Sequence, residues 1–203
     1  YMRICFTMAS RPLLRVGERC SFSPIWTFLE VKALEVAMAV ENGADEIDIV
    51  LNVGRMLTGE YDEAANEVEV IRSEMDGDIV LKVIIESGAL KTPDLIRKAS
   101  LLSMFAGADF VKTSTGKIDV AATPEAAVVM CQAIRDYYEK TGRKVGFKAA
   151  GGVRTAEDGA LYYTIVEEIL GKEWLTTDLF RIGASSAANN ILSAIEGREI
   201  KYF

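Results

Sequence analysis

Residues 107–117 read GADFVKTSTGK, and this stretch places a lysine at the end of a short apolar run. Gly107 ends a helical pattern, and Phe110 and Val111 lead directly into Lys112. A buried ammonium is costly to remove from water, so such a lysine either finds a partner or loses its proton and becomes a nucleophilic amine. The stretch therefore predicts both a strand of the fold and a candidate reactive residue.

The organisation of that stretch recurs along most of the chain. From about residue 29, an amphipathic segment, a glycine, a short apolar run and a loop follow one another repeatedly. A βα unit repeated in this way predicts a parallel sheet with helices on its outside. Corresponding positions in five predicted strands lie 34, 30, 36 and 35 residues apart, at Asp48, Lys82, Lys112, Lys148 and Gly183.

Apolar spacing and start signals set the expected element bounds. In the first helix, Val31, Leu34, Ala37 and Met38 form one apolar stripe, which is the expected core-facing side. Two later helices are expected to begin at a threonine cap followed by proline, and a third at a capping box. The sequence predicts helices at 29–41, 61–75, 93–105, 124–138, 156–170 and 185–195, and strands at 46–51, 80–86, 179–183 and around residues 112 and 148.

Alternation along the strands separates two faces of the sheet. In the first strand of the repeat, Asp48 shares one side with Glu46, whereas Ile47 and Ile49 lie on the other. The polar side would be costly against a layer of helices but is tolerated in the mouth of a barrel. We therefore expect an α/β fold of the (β/α)8 TIM-barrel type rather than an open doubly wound sheet.

The same alternation directs one acid and three lysines toward a common axis: Asp48, Lys82, Lys112 and Lys148. If Lys112 and Lys148 approach within about 4 Å at an effective dielectric near 20, they repel by about 4 kcal/mol, or about three pKa units. One amine would then be close to neutral at pH 7 and could form a Schiff base. Two other interpretations stay open, namely lysines that extend to solvent and a purely structural ion-pair network.

Three loops after late strands contain glycine and suit an anion. Their sequences are TGK at 115–117, GGVR at 151–154 and GASS at 183–186, and the last is followed by a predicted helix N-terminus. Barrel enzymes commonly hold a phosphate at the loops after the last two strands. A phosphorylated substrate is therefore expected, although each glycine pair could alone be a simple turn.

Composition excludes several classes of site. The chain has 203 residues, which fits one domain, and its net charge of −7 disfavours an extended surface for nucleic acid. It contains no histidine, so serine and cysteine nucleophiles activated by histidine are excluded. The odd set Cys5, Cys20 and Cys131 lacks metal-ligand spacing and indicates reduced thiols. With no long apolar run near its start, the chain is expected to be cytoplasmic and not bound to a membrane.

These motifs, from about Thr27 to the C-terminus, resemble the family of deoxyribose-phosphate aldolases, which are class I aldolases. The segments that carry the resemblance are GADEID at 43–48, LKVIIE at 81–86, FVKTSTGK at 110–117, VGFKAAGGVRTAED at 145–158 and RIGASS at 181–186. Position 149 departs from the pattern, because this chain has alanine where many relatives have proline.

The resemblance implies cleavage of 2-deoxy-D-ribose 5-phosphate to D-glyceraldehyde 3-phosphate and acetaldehyde, within deoxyribonucleotide catabolism. It implies that Lys112 forms the Schiff base, that Lys148 perturbs it, and that Asp48 relays protons with Lys148. No cofactor or metal is implied, the partner is a small sugar phosphate, and a homo-oligomer is left open. The implied phosphate-binding residues are Thr115, Gly116, Lys117, Gly151, Gly152, Gly183, Ser185 and Ser186.

The N-terminal stretch does not fit the resemblance. Residues 1–26 match no family segment, so we expect two parts, 1–26 from a truncation or frameshift and 27–203 as the aldolase barrel. The barrel would be incomplete, with the first three strands missing or scrambled and one makeshift strand at Ile4–Met8. The strand that carries Asp48 would then have an unpaired edge.

Two alternatives to an active aldolase follow from these observations. The first is an inactive or weakly active remnant that at most binds a sugar phosphate. The second is another Schiff-base barrel enzyme of the transaldolase type, which the sequence contexts of Lys112 and Lys148 disfavour.

Overall fold

The structure, a computed structural model, describes residues 20–22, 28–183 and 187–200. The strands in this part of the chain are β1 Cys20–Phe22, β2 Glu46–Val50, β3 Val80–Ile84, β4 Phe110–Lys112, β5 Gly146–Ala150 and β6 Phe180–Gly183. The α-helices are α1 Leu29–Glu41, α2 Val53–Thr58, α3 Tyr61–Ser73, α4 Ser87–Leu90, α5 Pro93–Phe105, α6 Pro124–Thr141, α7 Ala156–Leu170 and α8 Ala187–Glu196, and a 3-10 helix spans Lys172–Trp174.

The six described strands form one parallel sheet in the order β1-β2-β3-β4-β5-β6. Each strand pairs with the next one along the chain, and a helix lies between successive strands in the sequence. The predicted α/β fold, in which every βα unit adds a neighbouring parallel strand, is confirmed. The register pairs Asp48 with Lys82 and Lys112 with Lys148, so the predicted polar positions lie side by side.

The expectation that β2 has an unpaired edge is wrong. The segment Cys20–Phe22 forms β1 and pairs in parallel with β2, with Phe22 opposite Asp48. A bare strand edge leaves backbone donors and acceptors unsatisfied, which makes pairing with any extended segment favourable. The makeshift strand predicted at residues 4–8 lies outside the described residues.

The two faces of the sheet have different surroundings, as the alternation predicts. Ile47, Ile49, Val111 and Phe147 are buried in the hydrophobic core that the outer helices form. The charged side chains of the same strands point to the opposite, inner face, where they bind one another. Apolar burial therefore holds the helices against the sheet and leaves the inner face for polar groups.

Helix α1 is rotated from its expected orientation. Val31, Leu34 and Met38 are exposed, whereas Lys32 and Val36 are buried. The Nζ atom of Lys32 lies 3.3 Å from Oε2 of Glu67 on α3, so this side of α1 combines an apolar contact with a shielded ion pair. Apolar spacing alone cannot detect such a pair, because it counts a lysine as a surface residue.

Helix starts follow the predicted signals closely. The side chains of Thr92 and Thr123 accept hydrogen bonds from the third residue of α5 and α6, and proline follows each threonine. Thr155 and Asp158 form the predicted reciprocal capping box at the start of α7. These caps satisfy backbone donors that a helix cannot satisfy itself, so they fix where each helix begins.

Gly146, the first residue of β5, provides a test of packing inside the sheet. A Cβ atom at this position would lie 2.3 Å from the Phe110 ring, so Gly146→Ala should lower the free energy of unfolding by roughly 1–3 kcal/mol. The matched control is Gly77→Ala, because no heavy atom lies within 4 Å of the position a Cβ would take there. Urea denaturation followed by tryptophan fluorescence measures both, and equal losses would contradict this account of β4–β5 packing.

Candidate active site

Three of the predicted residues meet on the inner face of the sheet. Asp48 lies in β2, Lys112 at the end of β4 and Lys148 in β5. The Nζ atom of Lys112 lies 2.7 Å from Oδ2 of Asp48, and the Nζ atom of Lys148 lies 3.1 Å from the same oxygen. Because both nitrogens contact one oxygen atom, the two lysines are also close neighbours.

Burial distinguishes the two lysines. The side chain of Lys148 is 2% exposed and that of Lys112 is 11% exposed, so Lys148 does not extend to solvent. Asp48 is also buried. Lys112 is therefore the member of this trio that a molecule entering from solvent can reach first.

A second layer of charges lies beneath Asp48. Lys82 is fully buried, and its Nζ atom lies 3.2 Å from Oδ1 of Asp48. Oδ1 has no hydrogen bond of good geometry, so its contact with Lys82 is electrostatic. Glu46 accepts a hydrogen bond from Lys82 through Oε2 and another from Arg181 through Oε1. The guanidinium of Arg181 lies 5.1 Å from the centre of the Phe110 ring and closes the layer.

Sequence reasoning did not assign a role to Glu46 or Arg181. Strand alternation carried the signal, since Glu46 is two residues before Asp48 and Arg181 is two residues before Gly183. A strand position i−2 lies on the same face one layer deeper. The contact between Arg181 on β6 and Glu46 on β2 crosses the inner face and depends on the pairing of all the strands between them. It therefore cannot be predicted from the sequence of one strand.

The cations determine the ionisation of both acids. Burial by itself would raise the pKa of Asp48, but the attraction of Lys148, Lys112 and Lys82 outweighs it and holds this pKa well below its ordinary value. Burial would likewise raise the pKa of Glu46, and Lys82 and Arg181 lower it overall. Both carboxylates are therefore ionised at neutral pH.

Cations crowd together in this cluster. Among the described residues, two carboxylates, Asp48 and Glu46, lie within ion-pair distance of four cations. Glu46 binds Lys82 and Arg181, and one oxygen of Asp48 is shared by Lys112 and Lys148. Cations held this close together favour loss of a proton from a lysine, and arginine does not release its proton in proteins.

Two of the predicted anion loops lie against each other above this cluster. A Cβ atom on Gly151 would lie 3.0 Å from the Cα atom of Gly116, so the GGVR and TGK loops touch only because glycine is present. Gly152 has φ +86°, and no heavy atom lies within 4 Å of the position its Cβ would take. A ligand can therefore approach the backbone at Gly152 without meeting a side chain.

The third predicted loop begins beside Lys148. A Cβ atom on Gly183 would lie 3.3 Å from Cε of Lys148 and 2.8 Å from the Cβ atom of Ala150. Glycine at this position therefore leaves room for the lysine side chain. Ser185 and Ser186, the other predicted residues of this loop, lie outside the described residues.

The TGK loop is less open than its sequence predicts. The backbone N–H of Gly116 donates to Oγ of Ser114 at 3.0 Å, and that of Lys117 donates to Oγ1 of Thr115 at 3.1 Å. These donors are engaged inside the loop. The loop therefore offers an anion the exposed ammonium of Lys117 rather than a set of backbone N–H groups.

Two further features bear on the type of site. Within residues 20–22, 28–183 and 187–200, there is no group of three or more histidine, cysteine, aspartate or glutamate side chains placed to hold a metal ion. None of the helices in these ranges has both the length and the apolar character that crossing a bilayer requires.

Comparison with known proteins agrees with the geometry. The chain is 50% identical over 165 residues to deoxyribose-phosphate aldolase from Mus musculus and 47% identical over 165 residues to that from Homo sapiens. Each match covers 81% of this chain and 52% of the relative, so the chain spans about half the length of either enzyme.

A solved structure is similar as well. The deoxyribose phosphate aldolase from Aeropyrum pernix, described as tetrameric, superposes with a TM-score of 0.64 at 28% identity and covers 87% of this chain and 67% of its own. The model of the DeoC/LacD family of aldolases matches residues 13–173, a range that begins inside the stretch 1–26. The chain therefore belongs to the DeoC/LacD aldolase family.

Proposed function

We propose that this chain is a class I aldolase that cleaves 2-deoxy-D-ribose 5-phosphate through a Schiff base on Lys112. The observation that carries the proposal is the shared contact of Lys112 and Lys148 with one carboxylate oxygen of Asp48. Family membership supports the aldolase chemistry, and relatives named deoxyribose-phosphate aldolase support the substrate.

The proximity of the two lysines supports Lys112 as the nucleophile. Two ammonium groups that contact the same carboxylate oxygen repel each other, which favours the neutral form of one lysine. Lys148 is enclosed beside Asp48, whereas Lys112 is closer to solvent, so Lys112 is the amine that an aldehyde can reach. A neutral amine at Lys112 can attack the aldehyde carbon of the open-chain sugar, and loss of water gives an iminium.

Bond cleavage then uses the iminium as an electron sink. The hydroxyl on C3 loses its proton, the C2–C3 bond breaks, and its electron pair moves toward the iminium to give an enamine. D-Glyceraldehyde 3-phosphate leaves, the enamine takes up a proton at C2, and addition of water releases acetaldehyde and the free amine. Asp48 and Lys148 are adjacent, so they can move these protons as a pair with water.

The substrate phosphate is assigned to the loops above the cluster. Gly152 leaves space for a close approach to the backbone, Gly151 lets its loop pack against the TGK loop, and Gly183 lies beside Lys148. Lys117 supplies a positive charge from the adjoining loop. Cleavage of this sugar phosphate would place the protein in deoxyribonucleotide breakdown. The predicted reduced cysteines favour the cytoplasm as its compartment.

A remnant that only binds a sugar phosphate is the competing proposal, because the chain spans about half the length of its relatives. Binding of a sugar phosphate needs only the glycine-containing loops, whereas cleavage also needs a neutral Lys112 held close to Asp48. Covalent trapping at Lys112 separates the two.

Incubation with acetaldehyde and borohydride should give a reduced ethyl adduct on Lys112, located by peptide mass spectrometry. Lys112→Arg should abolish this adduct, because a guanidinium stays protonated and does not condense with an aldehyde. Lys172→Arg, at a side chain 86% exposed, is the matched control and should leave the trapping rate unchanged. Labelling scattered over surface lysines, or none at all, would favour the remnant.

The pH dependence of trapping tests the role of Asp48. Its pKa lies well below the ordinary value, so Asp48 stays ionised as the pH falls from 7 and the loss of trapping in acid reports protonation of Lys112. Asp48→Asn removes the attraction that favours charged lysines, so the midpoint of the trapping profile should move to lower pH. Cleavage turnover should fall about 10²- to 10⁴-fold, because the proton relay is lost.

Asp178→Asn, at an exposed position, is the control for this substitution and should leave both measurements as they are in the parent. A trapping midpoint that rises or stays fixed in Asp48→Asn would contradict the electrostatic account of the site.

A further inference from the structure

Glu86 is a buried acid that the proposed reaction does not use. It lies two residues after the end of β3, is 1% exposed and has φ 52° in the left-handed region. Its hydrogen-bond partners among the described residues are hydroxyl and amide groups rather than a cation. Oγ of Ser114 donates to Oε1, and the backbone N–H of Thr115 donates to the two carboxylate oxygens at 3.1 and 3.3 Å.

Two hydrogen-bond chains run from the loop after Lys112 and end on Glu86. In the first, the N–H of Gly116 donates to Oγ of Ser114, which donates to Oε1 of Glu86. In the second, the N–H of Lys117 donates at 3.1 Å to Oγ1 of Thr115, which donates at 2.6 Å to Oε2 of Glu86. The carboxylate therefore sets the backbone positions of residues 114–117.

The carboxylate of Glu86 fixes the direction of both chains. The hydroxyl groups of Ser114 and Thr115 donate to it, so they are left to accept from the backbone N–H groups of residues 116 and 117. Hydrogen bonds in such chains also polarise one another. An amide in place of the carboxylate would present a donor to one hydroxyl, and that chain would lose its defined direction.

The residues next to Glu86 hold both ends of the longer loop that contains residues 114–117. The Oγ atom of Ser87 lies 3.5 Å from the carbonyl oxygen of Ala121, and its backbone N–H donates at 2.9 Å to the carbonyl oxygen of Thr113. A Cβ atom on Gly88 would lie 1.9 Å from the carbonyl oxygen of Val120, so only glycine permits this contact. Residues 86–88 thus hold the loop 113–121 at both ends.

We propose that Glu86 is a positioning residue that sets the loop 114–117 so that Lys117 faces a phosphate bound at Gly151 and Gly152. The contact of Gly116 with Gly151 joins the two loops, so a shift at Thr115 displaces the positive charge of Lys117 from the glycine pair. The inference rests on the proposed function for the identity of the ligand. Its test therefore measures phosphate binding and Schiff-base formation separately.

Glu86→Gln should weaken the binding of inorganic phosphate about 10-fold, as expected when a hydrogen-bonded arrangement around a charged group is lost. The dissociation constant is measured by titration calorimetry. Trapping of acetaldehyde on Lys112 involves no phosphate, so its rate should stay within about twofold of the parent. Ser114→Ala removes one of the two chains and should weaken phosphate binding by a smaller factor, about threefold.

Glu168→Gln, an exposed glutamate on α7, is the matched control and should change neither measurement. The inference is overturned if Glu86→Gln binds phosphate as the parent does, if the parent binds none, or if trapping falls together with phosphate binding. If Glu86→Gln does not fold, the same criteria apply to Ser114→Ala. Weakened phosphate binding in a chain whose parent traps no acetaldehyde would refute the proposed function and leave the role of Glu86 standing.

Discussion

One oxygen atom, Oδ2 of Asp48, accepts hydrogen bonds from two lysines that would otherwise repel each other in a buried site. That contact requires four other features of the structure. Strands β2, β4 and β5 must be parallel and in register, and their charged residues must share one face. The deeper cations must have their own acid, and Lys112 must lie outermost. Breaking a buried pair of this kind leaves an uncompensated charge, which is strongly destabilising. Stability and chemistry therefore impose the same geometry on β2, β4 and β5.

The two faces of the sheet carry different kinds of side chain, which explains how the fold encloses the six charged side chains of the cluster. Helices α3 to α7 cover one face with apolar side chains, and the inner face carries its charges in two layers. Glu46 binds the lower cations Lys82 and Arg181, while Oδ2 of Asp48 binds the upper pair, Lys112 and Lys148. A single acid in place of these two would have to compensate every cation, and the upper lysines would lose their distinct environments.

Much of this arrangement could be predicted from the sequence because the βα repeat is regular. Strand alternation correctly grouped Asp48, Lys82, Lys112 and Lys148, and threonine caps located the helix starts. The orientation of α1 could not be predicted, since the ion pair of Lys32 reverses the usual meaning of a lysine. Strand β1 and the role of Glu86 also escaped prediction, because pairing with β2 and hydrogen bonds from residues 114 and 115 depend on segments distant in sequence.

Arg181 and Phe110 form a floor under the charged cluster, with the guanidinium against the ring and both side chains almost fully enclosed. A molecule from solvent therefore approaches the cluster on the side where Lys112 lies. In the proposed reaction, the water released when the aldehyde condenses with Lys112 would leave on this same side. Entry of the aldehyde and departure of the water would then follow each other in a fixed order.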